Sequence, residues 1–129
     1  MDRIRILFVD DEAIVREGLK KCIDWEVNGF EVVGAAENGE KALAYLGQLS
    51  VNIVVTDIKM PVMNGLEASR QIRSLSRPDG NMIPILAMTA QDAISVSSQC
   101  RQYGMDDYVL KPADPEQLTK MILKYVKTI

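Results

Sequence analysis

The chain has 129 residues, of which 47% are hydrophobic and 26% charged, with a net charge of −3. That is enough for one domain with its own core, and too acidic to favour nucleic acid as a direct partner. Histidine is absent, which excludes Ser-His-Asp and Cys-His catalysis, histidine-ligated zinc and an internal phosphohistidine.

Ile4 to Val9 is an apolar run of strand length, closed by Asp10-Asp11. Helical spacing follows: Val15, Leu19, Cys22 and Ile23 share a face, with Arg16, Glu17, Lys20 and Lys21 largely opposite. Asp10 or Asp11 can cap that helix, and Asp24-Trp25 begins its exit. Phe30 to Ala36 is a second strand between Asn28-Gly29 and Asn38-Gly39. Asn38 is a fair N-cap for a short helix through Ala42, Leu43 and Leu46. Asn52 to Thr56 is the third strand and delivers Asp57 to the sheet edge, where Met60-Pro61 stops it. Asn64-Gly65 opens a helix with Leu66, Ser69, Ile72 and Leu75 along one side. Residues 77–81 form a surface turn. Ile83 to Met88 is the fourth strand and ends at Thr89-Ala90. Gln91 to Tyr103 is helical, although Ser95, Ser97 and Ser98 weaken it. Tyr108 to Leu110 is a short fifth strand before Lys111-Pro112. Asp114 caps the last helix, with Pro115 at its first position and Gln117 completing a capping box. Leu118, Met121, Ile122 and Tyr125 form its buried stripe.

No apolar run approaches the ~18 residues that cross a bilayer, and no signal-peptide core opens the chain. Cys22 and Cys100 fall in predicted helices, so structural thiols in a reducing cytoplasm are expected.

Five strands alternating with five helices make an α/β fold, an open parallel sheet with helices on both faces. Right-handed crossovers favour the doubly wound order 2-1-3-4-5, the flavodoxin-like arrangement. Its switch point lies between strands one and three, where ligands bind beyond the carboxyl ends. Asp10, Asp11 and Asp57 sit there by topology, and Thr89 and Lys111 follow strands four and five at the same edge. Carboxylates ~4 Å apart at an effective dielectric of ~20 repel by about 4 kcal/mol per pair. One is therefore protonated, or a cation sits among them. An oxygen-only site favours Mg²⁺ or Mn²⁺. With a lysine ammonium and a threonine hydroxyl added, it is shaped for phosphoryl transfer, and Asp57 is the best nucleophile.

Val9-Asp10-Asp11-Glu12, Thr56-Asp57-Ile58-Lys59-Met60-Pro61 with Met63-Asn64-Gly65, Met88-Thr89-Ala90 and Lys111-Pro112 stand in the order and spacing of a known family. The chain resembles the receiver domain of two-component response regulators, of the chemotaxis-regulator type, over essentially residues 1–129 as a single domain. The resemblance implies that Asp57 accepts a phosphoryl group from a phosphohistidine on a sensor histidine kinase or a histidine phosphotransfer protein. It implies that Asp10 holds Mg²⁺ largely through water, while Asp11, Asp57 and the backbone carbonyl of Lys59 bind it directly. Thr89 and Lys111 would serve the reaction. Thr89 would then move toward the phosphoryl group as Tyr108 turns inward, switching the output face. Lys111-Pro112 is expected to be a cis peptide. Lys59 and Gln91 would tune the lifetime of the acyl phosphate, which the domain itself slowly hydrolyses, and the small Ala90 would leave the site open to its donor. The resemblance also allows a dimer that forms on phosphorylation.

Three other functions compete. A Mg²⁺ phosphohydrolase of the haloacid-dehalogenase type uses an Asp-x-Asp pair after strand one and usually a cap domain, whereas the pair here is adjacent. A pseudo-receiver would bind partners without phosphorylation. An FMN-binding flavodoxin would need a Ser/Thr/Gly phosphate cradle after strand one, which this chain lacks. Residues 25–30 resemble receivers that precede AraC-type DNA-binding domains, whereas Gly65 to Arg73, Ile83 to Ala90 and Lys111 to Leu118 look more like receivers of hybrid sensor kinases. The Ser-rich fourth helix is expected to be locally weak and part of the output face.

Overall fold

The computed structural model describes residues 3–22, 25, 27–58, 60, 62–75, 83–89, 93–111 and 114–126, without the side chains of 22 and 93–97. Ten elements alternate: β1 (Ile4–Val9), α1 (Ala13–Cys22), β2 (Phe30–Ala36), α2 (Gly39–Gln48), β3 (Ile53–Asp57), α3 (Gly65–Arg73), β4 (Ile85–Thr89), α4 (Ala93–Gln102), β5 (Asp107–Leu110) and α5 (Pro115–Tyr125). All strand pairs are parallel, in the order β2-β1-β3-β4-β5.

Strand side chains alternate between faces, and the two cores follow that alternation. Ile6, Phe8, Ile53, Val55, Leu86 and Met88 pack on one face with Leu19 of α1 and Leu118 and Ile122 of α5. Leu7, Val9, Val54, Ile85 and Ala87 pack on the other with Ala42 and Leu46 of α2, Ile72 of α3 and Cys100 of α4. Both faces of the central strands are covered, which is why they read as continuous apolar runs. Trp25 meets the Phe8 ring edge-on at 5.3 Å and Phe30 at 5.9 Å, and its indole donates to Lys20 O. Cys100 is a buried free thiol.

Several predicted boundaries shift. The third strand is Ile53–Asp57, so it contains the acid instead of stopping before it. The fourth begins at Ile85 because Pro84 has no N–H for the ladder, although its carbonyl still accepts from Val54 N at 3.0 Å. The fifth gains Asp107, paired with Leu86. The fourth helix spans Ala93–Gln102 within the predicted 91–103. The N-cap expected at Asn38 forms, accepting from Lys41 N, and Asn64, which opens α3, also caps its helix by accepting from Glu67 N. The capping box at α5 does not form. Asp114 is exposed and makes no side-chain cap hydrogen bond, and Pro115 starts the helix by its preset φ. Residues 23, 24 and the turn at 77–81 lie outside the described residues.

Gly65 sets how α3 meets the sheet. Its amide donates to Ile58 O at 2.8 Å, and a Cβ there would stand 2.1 Å from Asp57 O. Only a residue without a side chain lets the helix begin against the end of β3.

Candidate functional site

The carboxyl ends of β1, β3, β4 and β5 meet at one edge because parallel register leaves no alternative. Val9 pairs with Thr56, Asp57 with Met88, and Thr89 with Leu110. Asp10, Asp57, Thr89 and Lys111 are thereby gathered from positions far apart in the chain. Lys111 follows β5 directly, and its amide donates to Thr89 O at 2.8 Å.

Asp10 is wholly buried, and its polar groups are engaged one by one. Its N–H donates to Ala36 O at 2.9 Å, its carbonyl accepts from Arg16 Nη1 at 2.7 Å, and Oδ1 accepts from Glu12 N at 2.9 Å. Oδ2 lies 2.8 Å from Lys111 Nζ, which also stands 3.1 Å from Asp57 Oδ2. The contact with Asp10 Oδ2 is close enough for an ion pair but lacks hydrogen-bond direction, so that buried oxygen has no directed partner among the described residues. Distance decides here: attraction of opposite charges at 2.8 Å does not need a favourable angle.

Asp57 is 7% exposed. Burial pushes its carboxyl above the ordinary range. The Lys111 ammonium opposes that by hydrogen bond and charge, and the Asp10 carboxylate adds to it. For Lys111, burial pulls the ammonium down, but Asp10 and Asp57 outweigh it and hold the group above the usual lysine range. Among the described residues, the site thus holds one cation shared by two carboxylates in poor contact with water. Thr89, 2% exposed, closes β4 beside them, and Tyr108 lies half-buried on β5 against the core that includes Ala87.

Asp11 is exposed, and with Asp10 and Glu12 it forms a group whose carboxylate oxygens lie within 4.8 Å of one another. Glu12 appeared in the sequence only as part of a motif. Its signal was adjacency: the turn closed by Asp10 Oδ1 on Glu12 N brings the third acid back to the first. The trio does not include Asp57, which meets Asp10 through Lys111 instead. An all-oxygen donor set with a buried, undirected carboxylate oxygen fits a hard divalent ion. Lys59, Ala90, Gln91, Pro61 and Pro112, and with them the Lys111-Pro112 peptide, lie outside the described residues.

Residues 6–123 match the response regulator receiver domain family. The response regulator MprA of Mycolicibacterium vanbaalenii is 39% identical over 115 residues, which cover 89% of this chain and 47% of MprA. The chain therefore spans about half the length of that relative, and 30% of the transcriptional regulatory protein YesN of Bacillus subtilis. Among solved structures, the REC domain of AraT, a response regulator from Geobacillus stearothermophilus, is 35% identical with a TM-score of 0.80, covering 94% of this chain and 91% of that one. The receiver domain of the sensor histidine kinase PA1611 from Pseudomonas aeruginosa is 25% identical with a TM-score of 0.83, covering 98% and 99%; that structure has a magnesium ion coordinated in its active site cleft. A match that runs from the first strand into the last helix shows the family: this chain belongs to the response regulator receiver domains of two-component systems.

Proposed function

We propose that Asp57 is the phosphoacceptor of this receiver domain, residues 1–129, and that its donor is a phosphohistidine on a sensor histidine kinase or histidine phosphotransfer protein in the cytoplasm. The observation that carries the reading is the single Lys111 ammonium shared by Asp10 and Asp57 at the carboxyl edge of the sheet. A carboxylate held poorly solvated beside one fixed cation is a better nucleophile than one in water. An Asp57 carboxylate oxygen attacks phosphorus, the bond from phosphorus to the donor imidazole nitrogen breaks, and the electron pair leaves with the imidazole. Lys111 stabilises the charge on the transferring group, and the Thr89 hydroxyl donates to one of its oxygens. Asp10, Asp11 and Glu12, with Asp57 and the Lys59 carbonyl, would hold Mg²⁺ or Mn²⁺, which when bound neutralises negative charge on the phosphoryl oxygens. The absence of histidine supports an external donor.

Thr89 and Tyr108 form the switch in this reading: attraction of Thr89 toward the phosphoryl group opens space that Tyr108 fills. Lys59, Ala90 and Gln91 tune how long the acyl phosphate lasts, and a dimer forms on phosphorylation. Among the described residues no helix is long and apolar enough to cross a membrane. The chain's family supports this reading over the phosphohydrolase, and Asp10, Asp57 and Lys111 standing together at the sheet edge support it over the pseudo-receiver.

Incubation with phosphoramidate and Mg²⁺, followed by intact mass measurement, tests it. The expected result is one added phosphoryl group, lost in Asp57→Ala. An unmodified parent protein, or an adduct that survives in Asp57→Ala, overturns it.

A further inference from the structure

The periodicity of α1 assigns Arg16 to the polar face, the place of a solvated cation. The structure puts it elsewhere. Arg16 is half-buried, and its Nη1 donates to the carbonyl of Asp10, six residues back, at 2.7 Å. Charge-assisted hydrogen bonds of this length are among the stronger ones available to a side chain. The segment it grips carries Asp10, Asp11 and Glu12, whose carboxylate oxygens crowd within 4.8 Å. Asp11 and Glu12 are exposed, so the geometry of their segment rests on its backbone ties. Those ties are the Asp10 amide on Ala36 O, the Glu12 amide on Asp10 Oδ1, the Arg16 amide on Glu12 O at 3.1 Å, and the Arg16 side chain on Asp10 O. The last brings a guanidinium from a regular helix onto the acidic segment and fixes the peptide that joins Asp10 to Asp11.

We propose that Arg16 is a positioning residue that holds the Asp10–Glu12 segment in the shape that takes a divalent cation. It governs metal affinity and leaves the transfer step itself alone. This rests on the reading of that segment as part of the Mg²⁺ site.

The test uses the full chain and its Arg16→Ala and Arg16→Lys variants. Mg²⁺ affinity is measured by titration calorimetry, and phosphoryl uptake from phosphoramidate is followed across Mg²⁺ concentrations. Loss of a residue that orients metal ligands costs about tenfold or more in affinity, and that is the expected loss in Arg16→Ala. The Mg²⁺ concentration for half-maximal uptake rises by the same factor, while the rate at saturating Mg²⁺ hardly changes. Arg16→Lys, which keeps the charge and one donor, recovers part of the affinity. In metal-free Arg16→Ala the Glu12 amide exchanges faster with solvent, a readout that needs neither metal nor activity. Unchanged Mg²⁺ affinity and Glu12 exchange in both variants overturn the proposal alone, as does a fall in the saturated rate at unchanged affinity. A parent protein that binds no Mg²⁺ overturns the underlying site reading as well.

Discussion

Lys111 Nζ serves two carboxylates, at 2.8 Å to Asp10 and 3.1 Å to Asp57, so its removal leaves two acids with little water and no counter-charge between them. Breaking a buried pair from one side costs 3–5 kcal/mol in general; the ammonium here is partly open to solvent, so Lys111→Ala is expected to lose about 2 kcal/mol. Urea unfolding without metal measures this, and millimolar Mg²⁺ should restore part of the loss by binding the folded state. Asp57 provides a pH test. Its folded carboxyl binds a proton more tightly than the unfolded one, so its contribution is fully present below the unfolded pKa of about 3.9 and is lost as pH rises through the folded value. Metal-free Asp57→Asn should therefore gain stability relative to the parent as pH rises through the mildly acidic range, a difference read from unfolding midpoints in a pH series. Equal midpoints throughout would contradict it. The acidic identities of these residues were legible because each closes an apolar run. Their shared ammonium was not, since 53 and 100 residues separate Lys111 from Asp57 and Asp10, roughly counted along the chain.

The segment from β3 to α3 shows how an element boundary serves the site. Gly65 lets α3 start on the backbone of Asp57, and a methyl group there meets Asp57 O at 2.1 Å. Backbone cannot yield as a flexible side chain does, so Gly65→Ala should cost on the order of 2 kcal/mol or more and, on the proposed role of Asp57, slow phosphoryl uptake by moving it. A stable Gly65→Ala with parental uptake would refute this. In the same connection Val62 has φ 67° and is 77% exposed, so neither local preference nor burial favours it. Left-handed backbone costs a β-branched residue roughly 1–2 kcal/mol, partly offset in a Val62→Gly variant by about 0.5–1 kcal/mol of chain entropy. Val62→Gly should stabilise the fold by about 0.5 kcal/mol in thermal or urea unfolding. Farther along α3, Ser69 Oγ donates to Tyr103 O at 3.0 Å, and Arg73 bonds Gly104 O, Ile83 O and Asp106 Oδ2. The helix that begins against Asp57 is thus latched to the turn before β5. Helical spacing identified Ser69 as inward-facing but not what it meets, because its partner lies 34 residues away.

Across the whole molecule, order should follow coverage. β1, β3 and β4 are sandwiched between two cores, whereas β5 is an edge strand and α4 carries a Ser-rich sequence of poor helix propensity. Amide exchange should be slowest in β1, β3 and β4 and markedly faster in α4, with phosphorylation changing α4 and β5 most. Exchange in α4 as slow as in β3, and unaltered by phosphorylation, would count against α4 as part of the output face. The sequence by itself determined the ten elements, the sheet order and the acids at its edge, because buried parallel strands are continuous apolar runs and right-handed crossovers admit few arrangements. The cap at Asn38 was readable for the same local reason: its partner lies three residues on. Only the tertiary structure decided that Arg16 grips Asp10, that Asp114 leaves its cap unmade and that one lysine holds Asp10 and Asp57 together. Each of these depends on where a side chain arrives in space, and period and spacing carry no record of that.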